Sequence, residues 1–313
     1  METKLQRMKN GLKQMRNRMR KGKGARSHSF VERAMKFVFL AAALMSILCV
    51  ALICIFLFAN GLPAIAEIGP LQFLLGQTWR PGNDLYGIFP MIIGSIYVTG
   101  GALILGVPIA LLTAIYLAFF CPRQLYRVVK PAVELLAGIP SVVYGFFGIV
   151  VLVPMVRTIS EPFNGRGNSI LTASILLAIM ILPTIIGVVE PALRAVPRSY
   201  YEGALALGAT HERSVFTAVV PAAGSGVLAG IVLGVGRAMG ETMAVIMVAG
   251  NQPRMPQGIF QGIRTLTGNI VIEMGYAAGL HREALIATGV VLFIFILLIN
   301  MSFSLLKRKG RDA

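Results

Sequence analysis

The chain has 313 residues, of which 56% are hydrophobic and 13% charged, and its mean hydropathy is +0.76. Soluble domains carry about 25% charged residues, so this composition excludes an ordinary water-soluble domain, and the apolar content also excludes intrinsic disorder. The 29 Lys and Arg residues outnumber 13 Asp and Glu, which gives a net charge of +16. The chain is therefore predicted to be a membrane protein that carries its positive charge in loops and tails.

Long uncharged stretches recur along the sequence. A helix that crosses about 30 Å of hydrocarbon needs about 20 apolar residues. Six stretches are of this size: Phe37–Ala66, Tyr86–Phe120, Leu135–Val156, Asn168–Val189, Ser214–Gly236 and Ala284–Leu306. The second is too long for one untilted helix, and Gly87 and Pro90 place the start of its helix near Met91. An all-α integral membrane protein with six transmembrane helices is predicted.

The basic residues of the connections predict the orientation. The N-terminal tail, the 121–130 and 190–213 loops and the C-terminal tail hold 12, 3, 3 and 4 of them. The intervening connections 61–85, 157–167 and 251–283 hold 1, 2 and 3. Because cytosolic connections are enriched in Lys and Arg, both termini are expected in the cytosol.

The sequence divides into a basic tail at 1–36, a first transmembrane helix at 37–66, a transmembrane domain at 86–306 and a second basic tail at 307–313. In the first tail, apolar residues recur every three or four positions, at Leu5, Met8, Leu12, Met15 and Met19. This spacing is typical of an amphipathic helix on anionic membrane lipids, although a solvated tail is the alternative. No aromatic residue precedes Phe30, and nucleic-acid binding is therefore not predicted.

Motifs for catalysis are missing from the sequence. There is no phosphate-binding G-x-x-x-x-G-K-[ST] loop and no H-E-x-x-H or G-x-S-x-G motif, so neither ATP hydrolysis nor a protease or esterase activity is predicted. The three cysteines and three scattered histidines do not suggest a disulfide framework or a metal site. We expect no catalytic residues, no cofactor and no metal.

Two charged residues, Arg237 and Glu241, interrupt the fifth apolar stretch. Four positions apart on a helix they would share one face and could pair. Arg237 would lie about 20 Å along a helix that begins near Gly224, at a depth where a charge costs about 2.5–3.5 kcal/mol unless it meets water or a partner. The pair is either a structural ion pair or an anion site, in which the guanidinium binds an oxyanion. Glu241 would then accept a hydrogen bond from a protonated anion such as hydrogen phosphate, which sulfate cannot donate near neutral pH.

Small residues precede this pair at intervals of four, at Gly226, Gly230 and Gly234. Such a stripe lets a neighbouring helix approach closely. We therefore expect this helix in the bundle interior or at a subunit interface.

The sequence of the 190–222 connection predicts two short amphipathic helices, Tyr200–Leu207 and His211–Val219, joined near Gly208. Glycine permits a backbone conformation that a Cβ would oppose. The segment is either a docking lever for a soluble partner or an ordinary connecting loop.

Five residues of this connection resemble the coupling loop of ABC importer permeases, whose pattern is E-A-A-x₃-G-x₉-I-x-L-P; they are Glu202, Gly203, Ala204, Gly208 and Pro221. The sequence departs from the pattern with Gly203 for Ala, Ala218 for Ile and Val220 for Leu. The resemblance implies the ABC type I importer permease architecture and a lever that fits a cleft of a partner ATPase.

Three further segments, Arg80–Gly87, Glu134–Gly145 and Gly236–Val245, resemble phosphate permeases of the PstC type. This resemblance implies an importer of inorganic phosphate in a prokaryotic cell membrane, with an ABC ATPase dimer, a sister PstA-type permease and an extracellular or periplasmic phosphate-binding protein as partners. Arg237 and Glu241 match charged positions that this family is thought to need for phosphate passage. Pro140 lies inside the third apolar stretch and is expected to kink its helix.

Other functions stay open from the sequence. The substrate could be another oxyanion, molybdate or sulfate, and the subunit could be the sister PstA-type permease. A membrane sensor or scaffold that recruits partners through its basic tail, and a stand-alone ion-coupled carrier, are the alternatives from other classes.

Overall fold

The computed structural model describes residues 2–163 and 165–309, with side chains for 32–163 and 165–302. Its helices are α1 (Glu2–Ile68), α2 (Pro70–Leu75), α3 (Phe89–Ile115), α4 (Arg123–Gly138), α5 (Ser141–Phe147), α6 (Val153–Ser160), α7 (Ile170–Arg194), α8 (Arg198–Ala206), α9 (His211–Ser214), α10 (Val220–Ala222), α11 (Gly224–Gly240), α12 (Met243–Val248), α13 (Leu266–Glu273) and α14 (Gly279–Lys309). Single π turns follow α3, α5 and α9, at Tyr116–Phe120, Gly148–Leu152 and Val215–Val219. Short 3-10 turns lie at Pro81–Asn83 and Glu161–Phe163. Strands β1 (Trp79–Arg80) and β2 (Leu85–Tyr86) pair antiparallel, with Trp79 opposite Tyr86.

Five helical segments of the described residues are long and apolar enough to cross a membrane, at Glu32–Ile68, Phe89–Phe120, Ser141–Phe163, Ile170–Arg194 and Gly279–Ser302. A sixth span is present if His211–Ala222 and Gly224–Gly240 are counted together. The prediction of an all-α fold is confirmed, and the described residues contain six spans when this bent pair is counted as one span. The second span begins at Phe89, two residues before the predicted start.

The fifth predicted span, Ser214–Gly236, is not one straight helix. Its two halves meet at an angle of 71°. The bend lies at Ala223, whose ψ of 3° departs from the helical value. Pro221, two residues earlier, has no backbone N–H to donate into the helix. The first half of this segment is therefore continuous with the 190–222 connection.

The third predicted span, Leu135–Val156, also starts elsewhere. Helix α4 ends at Gly138, and Ile139 and Pro140 have extended backbones with ψ of 127° and 141° before α5 begins at Ser141. The ring of a proline disfavours the helical conformation at the residue before it. Pro140 thus separates two helices, and the prediction that it kinks a continuous helix is wrong.

Helix α7 lies at the centre of the larger cluster of buried residues and packs against α3, α11 and α4. Its own buried side chains include Leu176, Leu177, Ile181 and Ile185. A second cluster joins the β1–β2 hairpin to α3, α13 and α14 through Phe73, Trp79, Met91, Leu266 and Leu285. These two clusters hold the elements that carry the candidate site.

The chain divides into two compact units, residues 1–56 and residues 57–313, and the boundary between them falls within helix α1. In the first unit the large apolar side chains between Phe37 and Phe56 are mostly exposed. In the second, Gly61 lies so close to α14 that a Cβ there would be 2.6 Å from Val290 Cγ2. The side chains of the predicted amphipathic pattern lie outside the described residues, as do residues 310–313 of the second tail. The domain boundaries and the cytosolic placement of both termini stay predictions.

Candidate functional site

Helices α11 and α7 are in close contact along the glycine stripe. A Cβ at Gly230 would lie 2.6 Å from Val189 Cγ2, and one at Gly234 would lie 2.8 Å from Ile185 Cγ1. The facing pairs are Gly226 with Ala192, Gly230 with Val189, and Gly234 with Ile185. The predicted close packing is confirmed, and its partner helix is α7.

Arg237 occupies the last turn of α11 and is half-buried. Its Nη1 donates a hydrogen bond to Thr184 Oγ1 at 3.2 Å. Thr184 lies in the middle of α7, so the close approach of the two helices brings a hydroxyl within reach of the guanidinium. One bond uses one of the five N–H donors of the group, and the others stay available for an oxyanion.

Glu241 follows the end of α11 and does not continue that helix. Its backbone is extended, with φ −68° and ψ 126°, and its Oε1 accepts a hydrogen bond from the backbone N of Ala244 at 3.3 Å. Its carbonyl oxygen accepts from Thr267 Oγ1 at 3.4 Å, which ties it to α13. In the part of the chain that the structure describes, Arg237 and Glu241 do not lie within 4.0 Å as an ion pair. The prediction that they share one helix face is wrong, because the helix ends between them.

The break between α11 and α12 therefore lies beside both charged residues. Interrupted helices at membrane depth occur where protein or a water-filled cavity satisfies the freed backbone groups. Helix α5 covers one side of α12, because a Cβ at Gly145 would lie 3.1 Å from Ala244 Cα. The arrangement supplies guanidinium donors and a carboxylate acceptor at one break, which is the chemistry that binds a protonated oxyanion.

The 190–222 connection forms the two predicted helices, here α8 and α9, joined at Gly208. Gly208 has a φ of +83°, and its N–H donates to Leu205 O at 2.9 Å. This left-handed residue ends α8 in the way that glycine commonly ends helices. Thr210 Oγ1 then accepts from the backbone N of Arg213 and begins α9. A hydrogen bond of 2.7 Å between Tyr201 Oη and His211 Nδ1 joins the two helices.

The residues of the coupling pattern lie mainly on the surface. Glu202, Gly203, Gly208 and Pro221 are exposed, and Ala204 is half-buried. Leu207, between the two helices, is 91% exposed. No described atom lies within 4 Å of a Cβ at Gly203, so the alanine of the family pattern would fit there.

Residues 106–311 match the family described as binding-protein-dependent transport system inner membrane component. This match includes α11, α12 and the whole 190–222 connection, which we call the coupling segment. The chain belongs to this family. It is a multi-pass membrane permease with the ABC importer permease fold.

Relatives and solved structures agree with this assignment. The chain is 38% identical over 275 residues to a probable ABC transporter permease protein, YqgH, of Bacillus subtilis, covering 85% of this chain and 88% of the relative. It is 35% identical to the phosphate transport system permease protein PstC of Mesorhizobium japonicum, covering 83% and 84%.

Among solved structures, it resembles the MetNI methionine ABC transporter with a TM-score of 0.54 and 21% identity, covering 77% and 98%. It also resembles a bacterial ABC transporter involved in alginate import, with a TM-score of 0.56 and 16% identity, covering 88% and 99%. These low identities show a shared fold.

A buried carboxylate of the permease, Glu190, was not singled out from the sequence. It is 2% exposed and accepts hydrogen bonds from Lys130 Nζ and Arg194 Nε, both at 2.7 Å, and from Tyr126 Oη at 2.8 Å. Burial by itself would lower the pKa of Lys130, but its hydrogen bond to Glu190 and the nearby negative charge raise that pKa above its usual value. Arg194 also donates to Leu117 O at 2.7 Å. The cluster fixes α4 and the π turn that follows α3 to the last turns of α7, directly before α8.

A second buried carboxylate, Glu273, joins three elements of the smaller core. Its Oε2 accepts from Trp79 Nε1 at 2.8 Å and is 2.9 Å from His281 Nε2, and its Oε1 pairs with Arg264. Burial would raise the pKa of this carboxyl, but the three hydrogen bonds hold it below its usual value. The sequence offered no signal for this cluster, because Trp79 and Glu273 are 194 residues apart.

Proposed function

We propose that this permease carries inorganic phosphate inward across a prokaryotic cell membrane, driven by ATP hydrolysis on separate ATPase chains. The observation that carries the proposal is the half-buried Arg237, held by Thr184 at the break between α11 and α12 with most of its donors available. The names of relatives from Mesorhizobium japonicum and Haemophilus influenzae, both phosphate transport system permease protein PstC, support phosphate as the substrate.

At the break, the anion binds the free N–H groups of Arg237. Glu241 repels a fully ionised anion but accepts a hydrogen bond from a protonated one. This combination favours hydrogen phosphate over sulfate. Transport requires that this attraction be weak enough for the anion to be released.

The coupling segment is the proposed link to ATP hydrolysis. With both termini in the cytosol, α8 and α9 face an ABC ATPase dimer, and the exposed Glu202, Gly208 and Leu207 contact its cleft. The segment continues through the bend at Ala223 into α11, a helix of 17 residues. Movement at the lever is therefore transmitted along about 20 Å of helix to Arg237. A cavity of about 340 Å³ lies beside the bend.

The complete importer contains three further kinds of protein. A sister PstA-type permease completes the membrane pathway, and a phosphate-binding protein delivers substrate from the outside. The ATPase dimer binds the levers of both permeases. Membrane lipids surround the apolar helices, and the basic tail at 1–36 lies on the inner leaflet.

Phosphate uptake by vesicles that contain the chain, with and without the ATPase and sister permease, tests the proposal. Uptake that requires the ATPase and is inhibited by arsenate but not by sulfate is expected. Inhibition by sulfate or molybdate would assign another oxyanion, and uptake without the ATPase would indicate an ion-coupled carrier. Deletion of residues 1–30 distinguishes a scaffold, which would lose its function, from a permease, which keeps most of its transport.

Glu202→Lys tests the lever separately. The reversed charge is expected to weaken ATPase association and to uncouple hydrolysis from uptake. Unchanged association and coupling would remove Glu202 from the proposed contact.

A further inference from the structure

A second polar site lies near the start of α7, away from Arg237. A pocket of about 310 Å³ is lined by Arg166, Asn168, Gln252, Arg254 and Gln261, together with Phe260 and Gly262. Two guanidinium groups and three side-chain amides therefore surround one concavity. These residues come from the 157–168 connection and from the 251–263 segment, which are far apart in the sequence.

Positive charge is concentrated at this pocket without a compensating carboxylate. The three connections assigned to the outside by their low basic content hold six arginines and no lysine, and two of the six line this pocket. In the part of the chain that the structure describes, neither Arg166 nor Arg254 has a carboxylate within 4.0 Å. Arg264, by contrast, is paired with Glu273. The pocket is suited to an anion.

The amides of the pocket also have unused hydrogen-bonding capacity. Gln252 Oε1 is buried and has no hydrogen-bond partner among the described residues. Gln261 Oε1 accepts from the backbone N of Gln257 at 3.3 Å, which leaves its amide N–H groups as donors. A ligand that brings both acceptor oxygens and one O–H group would satisfy this set.

The backbone holds the pocket in place. The N–H groups of Ile170 and Leu171, at the start of α7, donate to Gln261 O and Ile259 O, both at 3.0 Å. Gly250 adopts a φ of +82° and forms a parallel bridge with Ile263. The 251–263 segment is thus fixed to α7 before any ligand binds, which lowers the entropic cost of binding.

We propose that this pocket is an outer binding site for a small protonated tetrahedral oxyanion, with hydrogen phosphate as the ligand. The two guanidinium groups bind the ionised oxygens, and the O–H group of the anion donates to Gln252 Oε1. Thr184, the partner of Arg237, lies fourteen residues into α7, about 21 Å from its start. If the proposed function is correct, the pocket receives the anion before it reaches Arg237.

The test measures binding of inorganic phosphate to the whole importer, assembled without its binding protein, by phosphorus NMR line broadening in a phosphate-free detergent. The variant carries Arg166→Gln together with Arg254→Gln, both at exposed positions. The matched control carries Arg157→Gln together with Arg282→Gln, which removes two exposed arginines from outer connections outside the pocket. Phosphate binding to the ATPase chains is common to all samples and cancels between variants.

Loss of two charge-assisted contacts is expected to weaken phosphate binding at this site by about tenfold or more, with no change in the control. Equal binding in the pocket variant and the wild type would overturn the proposal. Unchanged phosphate binding, together with weaker association of a separately added binding protein, would overturn the proposal and assign the surface to protein docking. Arg237→Gln separates the two proposals, because normal uptake by that variant contradicts the proposed function and leaves the result for the pocket intact.

Discussion

The Arg237 guanidinium donates a hydrogen bond to Thr184 Oγ1 across 3.2 Å, and this bond joins the end of α11 to the middle of α7. Helix α7 has the most buried apolar window of the candidate spans in the described residues. The cation is therefore positioned by the best-packed helix of the bundle. Glu241, which the spacing suggested as its partner, instead accepts a hydrogen bond from the backbone N of Ala244 in the first turn of α12.

Arg237→Gln is expected to abolish phosphate uptake and leave membrane insertion intact, since a neutral side chain is easier to insert than a charged one. Thr184→Val removes one hydrogen bond of about 0.5–1.5 kcal/mol, and we expect a partial loss of about threefold to tenfold. Uptake by vesicles with equal amounts of inserted protein is the measurement. Thr113→Val is the control, because that hydroxyl bonds only to Ile109 O of its own helix. Normal uptake by Arg237→Gln would remove Arg237 from the pathway.

Gly230→Ala is expected to lower the midpoint of thermal unfolding, because its Cβ would lie 2.6 Å from Val189 Cγ2 and overpacking costs about 1–3 kcal/mol. Gly236→Ala on the same helix has no described atom within 4 Å of its Cβ. This control should be neutral or stabilising, since alanine favours a helix over glycine by about 1 kcal/mol. Equal midpoints in detergent would show that α11 and α7 are not closely packed.

Two glycines of the coupling segment should respond in opposite ways to alanine. Gly203→Ala restores the family residue within α8, where space is available, and should stabilise the helix by about 1 kcal/mol without loss of uptake. Gly208→Ala forces a side chain into the left-handed region at a φ of +83° and should cost about 1–2 kcal/mol. ATPase-coupled uptake and thermal unfolding of both variants give the comparison. A neutral Gly208→Ala would mean that the turn adopts another conformation.

Glu190→Gln should destabilise the permease by about 1–3 kcal/mol, because it leaves Lys130 and Arg194 without the buried charge that both contact. Glu134→Gln is the matched control. The side chain of Glu134 is 65% exposed and 3.7 Å from Lys130, so its loss should cost less than about 1 kcal/mol. Thermal unfolding at neutral pH distinguishes the two, and similar midpoints would contradict the buried cluster.

Glu273 should make the stability of the permease depend on acid pH. Because its folded pKa is lowered, the unfolded chain takes up the proton first as the pH falls. The contribution is fully present above the unfolded pKa of about 4.3 and is lost as the pH falls from there through the lowered folded value. Thermal unfolding in detergent between neutral and acid pH should show this loss, and it should be smaller in Glu273→Gln. An identical pH dependence in that variant would contradict the role of Glu273.

The sequence by itself determined the class of protein and the position of most spans. An uncharged stretch of about 20 residues has few stable conformations in hydrocarbon other than a helix, so the first, second, fourth and last stretches became helices close to their predicted bounds. The glycine stripe on α11 and the turn at Gly208 were also predictable, because both depend on local chemistry at a fixed spacing. The coupling pattern and the segment Gly236–Val245 pointed to the family through residue identity alone.

Only the tertiary structure decided which residues meet. Hydrophobicity did not reveal that the helix ends at Gly240. The spacing of Arg237 and Glu241 therefore predicted a contact between these two residues. In the fold Arg237 instead contacts Thr184, 53 residues away. The partners of Glu190 and Glu273 and the pocket between Arg166 and Arg254 likewise come from distant segments. Local patterns fix secondary structure through short-range sterics and solvation. Contacts between distant charges depend on how the helices pack, which no local spacing encodes.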